Sequence, residues 1–538
     1  MSLESPERQS WDAIVVGTGM GGATIGHALA ARGWRVVFCE QGAAHSDANS
    51  ALLGEYPEMA FEGPKVARPD QAALLSRAGR AIEPIEDRSG PRPDRFVPFI
   101  GAGAGGSSAL YGMALERFFP EDFEPARKHP EAGDSSLPAL WPISYQDLAP
   151  YYSAAETLYG VRGGRDPLRP SEDPGPAEAA PPLSAANQEL HDYLAGQGLT
   201  PYRLPAACRF VVGCRGCQGY LCSKVCKNDS AQVCLGPAVR DHGARLLSDC
   251  RVTRLDTQNG RVAAVECTWE GRSLTLTGQI VILAAGALAS PALLLGSVSA
   301  DCPNGLANGS DQVGRNLMRH LVDLYALTPQ AAPGEDENPK ELAFNDLYLD
   351  SNGPLGTVQS FGRLPPAPMI VDAFIDELRS AGKSLPAAVA GLAKPILRPV
   401  LGQKFACSLI VAGILEDLPH PSNRVRPGSD GPILEYRIQP YDAARLALFR
   451  DRLTALFKPF EAMLLKQAAN NQRLAHVCGT CRFGEDPATS VLDPNNKAHE
   501  LDNLYVVDSS FFPSSGGTNP SLTIAANALR VADHLSNS

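Results

Sequence analysis

Long apolar runs are almost missing from this chain of 538 residues. One exception is 280–298, which carries no charge. Gly286 and Ser290-Pro291 break it where a strand would turn into a helix, whereas a membrane span needs about 20 uninterrupted apolar residues. It therefore reads as a buried βα unit, and no transmembrane segment is expected. Positive charge is short as well: 48 Lys and Arg face 59 Asp and Glu, for a net charge of −11. That balance argues against nucleic acid and against an anionic membrane surface as partners. The polar residues 1–10 run directly into an apolar strand, so no signal peptide is visible and a cytoplasmic location is expected. Low-complexity tracts are absent too. With 44% hydrophobic and 20% charged residues the composition is ordinary globular, and the length suffices for two large domains.

Cysteine is not scarce. There are thirteen, an odd number, and six of them fall between Cys208 and Cys234. Without a secretory signal a full disulfide framework is not the default. Cys214, Cys217, Cys222 and Cys226 are close enough in sequence for one loop to wrap a metal ion or an iron–sulfur cluster, although the spacing matches no standard pattern. One or two disulfides, or thiols with structural roles only, are the other readings. Six prolines between 165 and 184 rule out a regular helix or central strand there.

Residues 12–16 form a short apolar strand followed at once by Gly17-Thr18-Gly19-Met20-Gly21-Gly22, a helical stretch, and a second strand at 35–39 that ends at Glu40. This is the βαβ setting that a G-x-G-x-x-G loop needs to bind a dinucleotide. Gly17 permits the tight turn, Gly19 lets a pyrophosphate approach the backbone, and Gly22 lets helix and strand pack closely. Glu40 stands where it can accept from ribose hydroxyls. The motif alone does not separate FAD from NAD. A second glycine-rich stretch, 101–112, suits backbone passing close to a flat or charged ligand. The small residues Ala285-Gly286 after the strand at 280–284 would admit the cofactor's phosphate side. Asn259-Gly260 marks a hairpin within 251–269.

The C-terminal segment, 475–535, carries His476 before Gly479-Thr480-Cys481, a buried strand at 504–507 ending in Asp508, and Asn519-Pro520 opening a helix. This block resembles the signature of the glucose–methanol–choline (GMC) flavoprotein oxidoreductases, and the likeness is collinear over most of the chain. It implies an α/β fold: a Rossmann-like FAD-binding domain of the p-hydroxybenzoate-hydroxylase type, with a second α+β substrate domain on an antiparallel sheet. The FAD domain is expected from 1–45, 96–125, 205–320 and 475–538; the cap and substrate domain from 46–95, 126–204 and 321–474. By resemblance, His476 takes the place of the catalytic histidine and Asn519 that of its His-or-Asn partner. Ser107 and Gly112 match positions touching the flavin, and Val252 one whose backbone meets adenine. Asp508 and the Pro520 helix start complete the cofactor set. Tyr111 stands where the family usually has Asn or His, and no covalent flavin link is expected. His320 matches a position that is ordinarily structural.

The reaction this implies is oxidation of a CH–OH group in an alcohol or sugar, with hydride passing to flavin N5 and His476 as base. The alternatives are a lyase that uses FAD without redox chemistry, or a catalytic subunit passing electrons to a cytochrome. An electron-acceptor protein is the corresponding partner, and the cysteine loop, with an iron–sulfur cluster, would be its relay. Two apolar helical stretches, 369–378 and 385–397, have no family counterpart and are expected to pack as core rather than roof the pocket or dock on a partner.

Overall fold

A computed structural model describes residues 5–44, 52–60, 69–334, 340–350, 353–380, 382–429 and 431–537. Parts of the 46–95 segment, expected in the cap and substrate domain, therefore lie outside the described residues.

The first sheet is ordered Arg245–Leu247, Val36–Cys39, Ser10–Val16, Arg272–Leu283, Arg261–Trp269, Cys250–Gln258, and Leu504–Val506 also pairs with Arg272–Leu283. The strands Arg245–Leu247, Val36–Cys39, Ser10–Val16, Arg272–Leu283 and Leu504–Val506 are mutually parallel. Val16 lies beside Cys39 and Leu283, and Leu283 beside Val506, so four strand ends stop level with one another. Directly beyond these ends come Glu40, Gly17, Ala284-Ala285-Gly286 and Val507-Asp508. In open α/β sheets ligands bind at this carboxyl edge. The hairpin turns at Asn259 and Gly260, whose φ values of 52° and 71° are the left-handed pair a two-residue turn requires.

The second sheet is antiparallel throughout: Met463–Leu465, Leu321–Leu327, Leu409–Leu415, Gly356–Ser360, Leu342–Phe344, Tyr202–Arg203. Strand Leu409–Leu415 is buried along its whole length. Its alternate residues serve opposite faces, Leu409, Val411 and Leu415 in one cluster and Ile410, Ala412 and Ile414 in another, the period-two sorting of a pleated strand.

A third sheet and a helical insertion complete the fold, and the insertion departs from expectation. The charged, proline-containing stretch near 83–94 contains two short strands, Ile85–Asp87 and Asp94–Phe96, which join Arg424–Arg426 and Ile433–Glu435 in a third sheet. Ile85 drives this by entering a cluster with Leu317, Val425 and Leu434. The apolar helices 367–406 form three elements, Ala367–Ser380, Ser384–Leu392 and Lys394–Ala406. They are not core: only Val371, Ile375, Ala387 and Ala390 make a small buried cluster, and the last helix buries no residue.

Candidate active site

The first glycine loop is packed on one side and open on the other. A Cβ on Gly22 would sit 2.1 Å from the Gly17 carbonyl oxygen, so only glycine permits helix Met20–Ala30 to approach the strand this closely. A Cβ on Gly19 would meet nothing within 4 Å, and the same holds at Gly286. The backbone thus fronts free space at the two places where a phosphate chain would lie, beside a helix N-terminus. Glu40 closes the loop: its carboxylate accepts from Thr18 N (3.0 Å), Thr18 Oγ1 (2.6 Å) and Gly42 N (3.2 Å). Burial pushes its pKa up, against those donors. Thr18 Oγ1 also accepts from Gly105 N at 3.1 Å, which anchors the second glycine stretch on the first. Within that stretch Ser107 Oγ accepts from Gly101 N (3.1 Å), and Tyr111 donates its hydroxyl to Asn228 O (2.6 Å).

Asp508 ties the C-terminal strand into this cradle. Its Oδ2 accepts from Gly286 N (2.8 Å) and Ser290 Oγ (2.5 Å), and its Oδ1 from Ser510 N (2.8 Å). Helix Ser521–Asn537 starts one residue later than expected, and Pro520 lies just before it, its carbonyl accepting from Ile524 N. Val252 lies in strand Cys250–Gln258 on the same sheet.

The chemical end is built by an antiparallel bridge. Met318 pairs with Cys478, each amide donating to the other's carbonyl. Counting outward in antiparallel register puts residue 320 opposite 476. There His320 Nδ1 and His476 Nδ1 lie 2.9 Å apart, with both residues at positive φ, 56° and 54°. His320 Nε2 lies 3.2 Å from the Ser515 carbonyl, which can only accept, so Nε2 carries the proton. Nδ1 of neutral His320 is then an acceptor, Nδ1 of His476 must donate to it, and the basic lone pair of neutral His476 is on Nε2. Asp417 fixes the turn beneath by accepting from the backbone amides of Arg319 and His320. Burial, then the neighbouring His320 and Lys340, hold the His476 pKa well below the usual imidazole range.

Asn519 is held in a buried polar group. It donates to Gln359 Oε1 (3.0 Å) and Glu116 Oε2 (3.3 Å), and accepts from Gln359 Nε2 (3.3 Å). Both amide hydrogens are engaged, which leaves one acceptor lone pair on Oδ1. Glu116 also accepts from Tyr202, and burial raises its pKa. Lys340, lowered to about 8 by burial, acts electrostatically on both Glu116 and His476. A Cβ on Gly112 would lie 2.6 Å from both Lys340 Nζ and Gln218 Oε1. Gln218 Oε1 and Thr518 Oγ1 are buried without a hydrogen-bond partner among the described residues. Buried polar atoms without a protein partner call for another one, such as water or a ligand. A separate cavity of about 20 Å³ borders Glu116, Asp166 and Arg169 but not His476, and has room for about one water.

Sequence reasoning missed His320 as the partner of His476, and missed Asp417, Glu116, Gln359 and Lys340 altogether. The bridge at Met318 links segments far apart in sequence, and no local pattern announces it.

All thirteen cysteines are free thiols. Cys214 and Cys226 approach to 3.3 Å, Cys208 and Cys214 to 3.6 Å, and Cys222 and Cys226 to 3.5 Å. Cys208, Cys214 and Cys226 lie within 4.8 Å of one another, so of the four expected ligands only Cys214 and Cys226 fall in this group, with Cys208 as the third member in place of Cys217 and Cys222. Sulfurs around one tetrahedral ion at 2.3 Å stand about 3.7 Å apart, close to these spacings.

Among the described residues no helix is long and apolar enough to cross a membrane. Residues 11–322 and 430–528 match the two sequence models of the GMC oxidoreductases. The chain is 31% identical to 6'''-hydroxyparomomycin C oxidase of Streptomyces lividus, over 98% of this chain and 92% of that protein. It is 27% identical to 2-methyl-1,2-propanediol dehydrogenase of Mycolicibacterium austroafricanum, over 98% and 95%. Among solved structures it is similar to pyridoxine 4-oxidase from Mesorbium loti, with a TM-score of 0.63, 19% identity, and 98% and 100% of the two chains covered. The chain belongs to the GMC oxidoreductases, an FAD-binding family, and is an oxidoreductase acting on alcohol CH–OH groups.

Proposed function

We propose that this enzyme oxidises a hydroxyl-bearing substrate with FAD held on the Gly17–Gly22 loop, Glu40 and Gly286, and with His476 as the base that takes the hydroxyl proton. The observation that carries this reading is the chain of hydrogen bonds from the Ser515 carbonyl through His320 to His476. It presets the tautomer of His476 so that Nε2 is the nitrogen able to accept a proton. Bound FAD supplies the two-electron acceptor for the hydride released from the same carbon.

The remaining work falls to the polar wall. Burial and the neighbouring His320 and Lys340 disfavour the protonated form of His476, so at neutral pH its imidazole is in the neutral form that can accept a proton. Asn519 cannot donate further, so its Oδ1 and the orphan Gln218 Oε1 accept from hydroxyls of the substrate. These acceptors, with Glu116 and Lys340 close by, suit an alcohol that carries several polar groups better than a purely aromatic or aliphatic one. A lyase would use the same histidine but would not bleach a flavin.

The test is rapid anaerobic mixing of the purified flavoprotein with a panel of polar alcohols, diols and amino sugars, following flavin absorbance. A turnover-competent alcohol should bleach it, and His476→Ala should slow the bleaching by roughly 10²-fold or more. Bleaching at the native rate by His476→Ala protein would place the base elsewhere.

A further inference from the structure

The helical insertion 367–406 leaves a large apolar surface uncovered. Ser384–Leu392 and Lys394–Ala406 follow one another with only Ala393 between them. Leu385, Val389 and Leu392 recur at helical spacing on the first, and Ile396 and Val400 on the second. All five are exposed: Leu392 is 86% exposed, Leu385 76% and Ile396 69%. Pro386, Ala388, Pro395 and Pro399 are exposed among them, so the stripe continues without a polar break. The opposite side is already used, since Ala387 and Ala390 pack on Val371 and Ile375 of the preceding helix. Soluble surfaces rarely leave a contiguous apolar patch of this kind without a use for it.

Charge identifies what covers it. Although the whole chain is acidic, no Asp or Glu occurs between Glu377 and Glu416, a stretch that holds Arg379, Lys383, Lys394, Arg398 and Lys404. Lys383 and Lys404 are exposed at the two ends of the stripe. Lys394 and Arg398 flank it and share Asp372, at 2.8 and 3.4 Å. A protein-binding face intersperses hydrogen-bonding groups with its apolar ones. Here the apolar band is unbroken and the cations are confined to its edges, which is the layout of a helix lying in a lipid headgroup region. We infer that the insertion 367–406 docks this enzyme reversibly on an anionic phospholipid surface, with Leu385, Val389, Leu392, Ile396 and Val400 entering the acyl boundary and the basic side chains meeting headgroup phosphates. The net charge of −11 argued against such a surface. The chain-wide charge conceals a stretch, from Leu378 to Leu415, that is locally of the other sign.

The insertion is joined to the substrate half through Phe405, which packs against the cluster of Leu324, Ala326, Ile410, Ala412 and Ile414 on the antiparallel sheet. None of the five stripe residues belongs to the cofactor cradle or the polar wall, so they can be altered without touching the chemistry.

The experiment is co-sedimentation of the flavin-loaded, full-length protein with vesicles of phosphatidylcholine alone or mixed with phosphatidylglycerol, at low and high salt. Binding is expected to the anionic vesicles and to weaken with salt. The double variant Leu385→Glu/Leu392→Glu should lose at least about tenfold in partitioning while its flavin content and alcohol turnover in solution stay unchanged. Lys383→Ala/Lys404→Ala should weaken binding less and flatten its salt dependence. Failure of the wild type to sediment with anionic vesicles overturns the proposal. So does a wild type that self-associates by analytical ultracentrifugation, does not bind vesicles and becomes monomeric in the double variant, which would make the stripe an interface between copies. Binding that is equal for wild type and double variant also overturns it.

Discussion

The cradle proposed for the cofactor and the polar wall proposed for the alcohol are built on opposite plans. The cradle is made of backbone: bare glycine at 19 and 286, a carbonyl 2.1 Å from where a Cβ on Gly22 would be, and one carboxylate clamping the loop from a neighbouring strand. Its parts lie within a short stretch of chain or at level strand ends. The wall is made of side chains from distant segments: Glu116, Gln218, His320, Lys340, Gln359, His476 and Asn519. A ligand that never changes can be met by backbone, which offers one shape. A ligand class that varies is met by side chains, which can be exchanged without rebuilding the sheet.

The comparison breaks most severely at Gly22. Gly22→Val places atoms against backbone that cannot move aside, and we expect a loss of upwards of about 4 kcal/mol in stability together with the flavin. Gly19→Ala, facing open space, should fold with a near-native melting temperature yet retain less FAD. Thermal unfolding and flavin absorbance per mole of protein separate the two. If both variants fold and bind alike, the cradle is not packed as described.

A smaller effect is expected where the wall depends on second partners. His320→Phe keeps the bulk but removes the acceptor for His476 Nδ1, so His476 is no longer confined to the tautomer with a basic Nε2. Flavin reduction should slow by about 10-fold to 10²-fold, less than for loss of His476 itself. His320→Asn, with a carbonyl to accept the same proton, should recover part of the rate, which a purely structural role would not.

The smallest change is a shift along the pH axis. Protonation inactivates His476 as a base, so the reduction rate should fall as pH drops through its depressed pKa and stay level above it. Lys340→Met removes a cation that helps to depress that pKa. The acid limb should therefore move to higher pH, measured as the pH dependence of the reduction rate at saturating alcohol. A limb that stays put, or moves lower, would mean that His476 does not feel Lys340.

The same contrast explains what could be read from the residues alone. Gly17 to Gly22, Glu40, Asp508 and the Asn259-Gly260 turn were legible because their constraints are local: a φ value, a helix start, a strand end. His476 and Asn519 were legible through resemblance. Their supporting residues were not, because the Met318–Cys478 bridge and the Asn519–Gln359 pair join segments whose separation leaves no periodic trace. The exposed insertion was misread as core because Leu385, Val389 and Leu392 have the spacing of a buried face, and spacing does not say which side is wet.

Strand Leu504–Val506 pairs with Arg272–Leu283 in a sheet whose other parallel strands come much earlier, and helix Ser521–Asn537 packs on Met20–Ala30. This order of assembly has a temporal consequence. While the chain is being synthesised, at about 5–20 residues per second, the first βαβ unit is available long before the segment that gives it His476, Asp508 and Asn519. On the proposed reading the nascent chain has its first glycine loop but neither Asp508 nor the base, and competence arrives only when the late segment threads home. An interrupted product would lack both the proposed base and a strand of its own sheet, and is expected to be cleared by proteolysis rather than to work as a partly active enzyme.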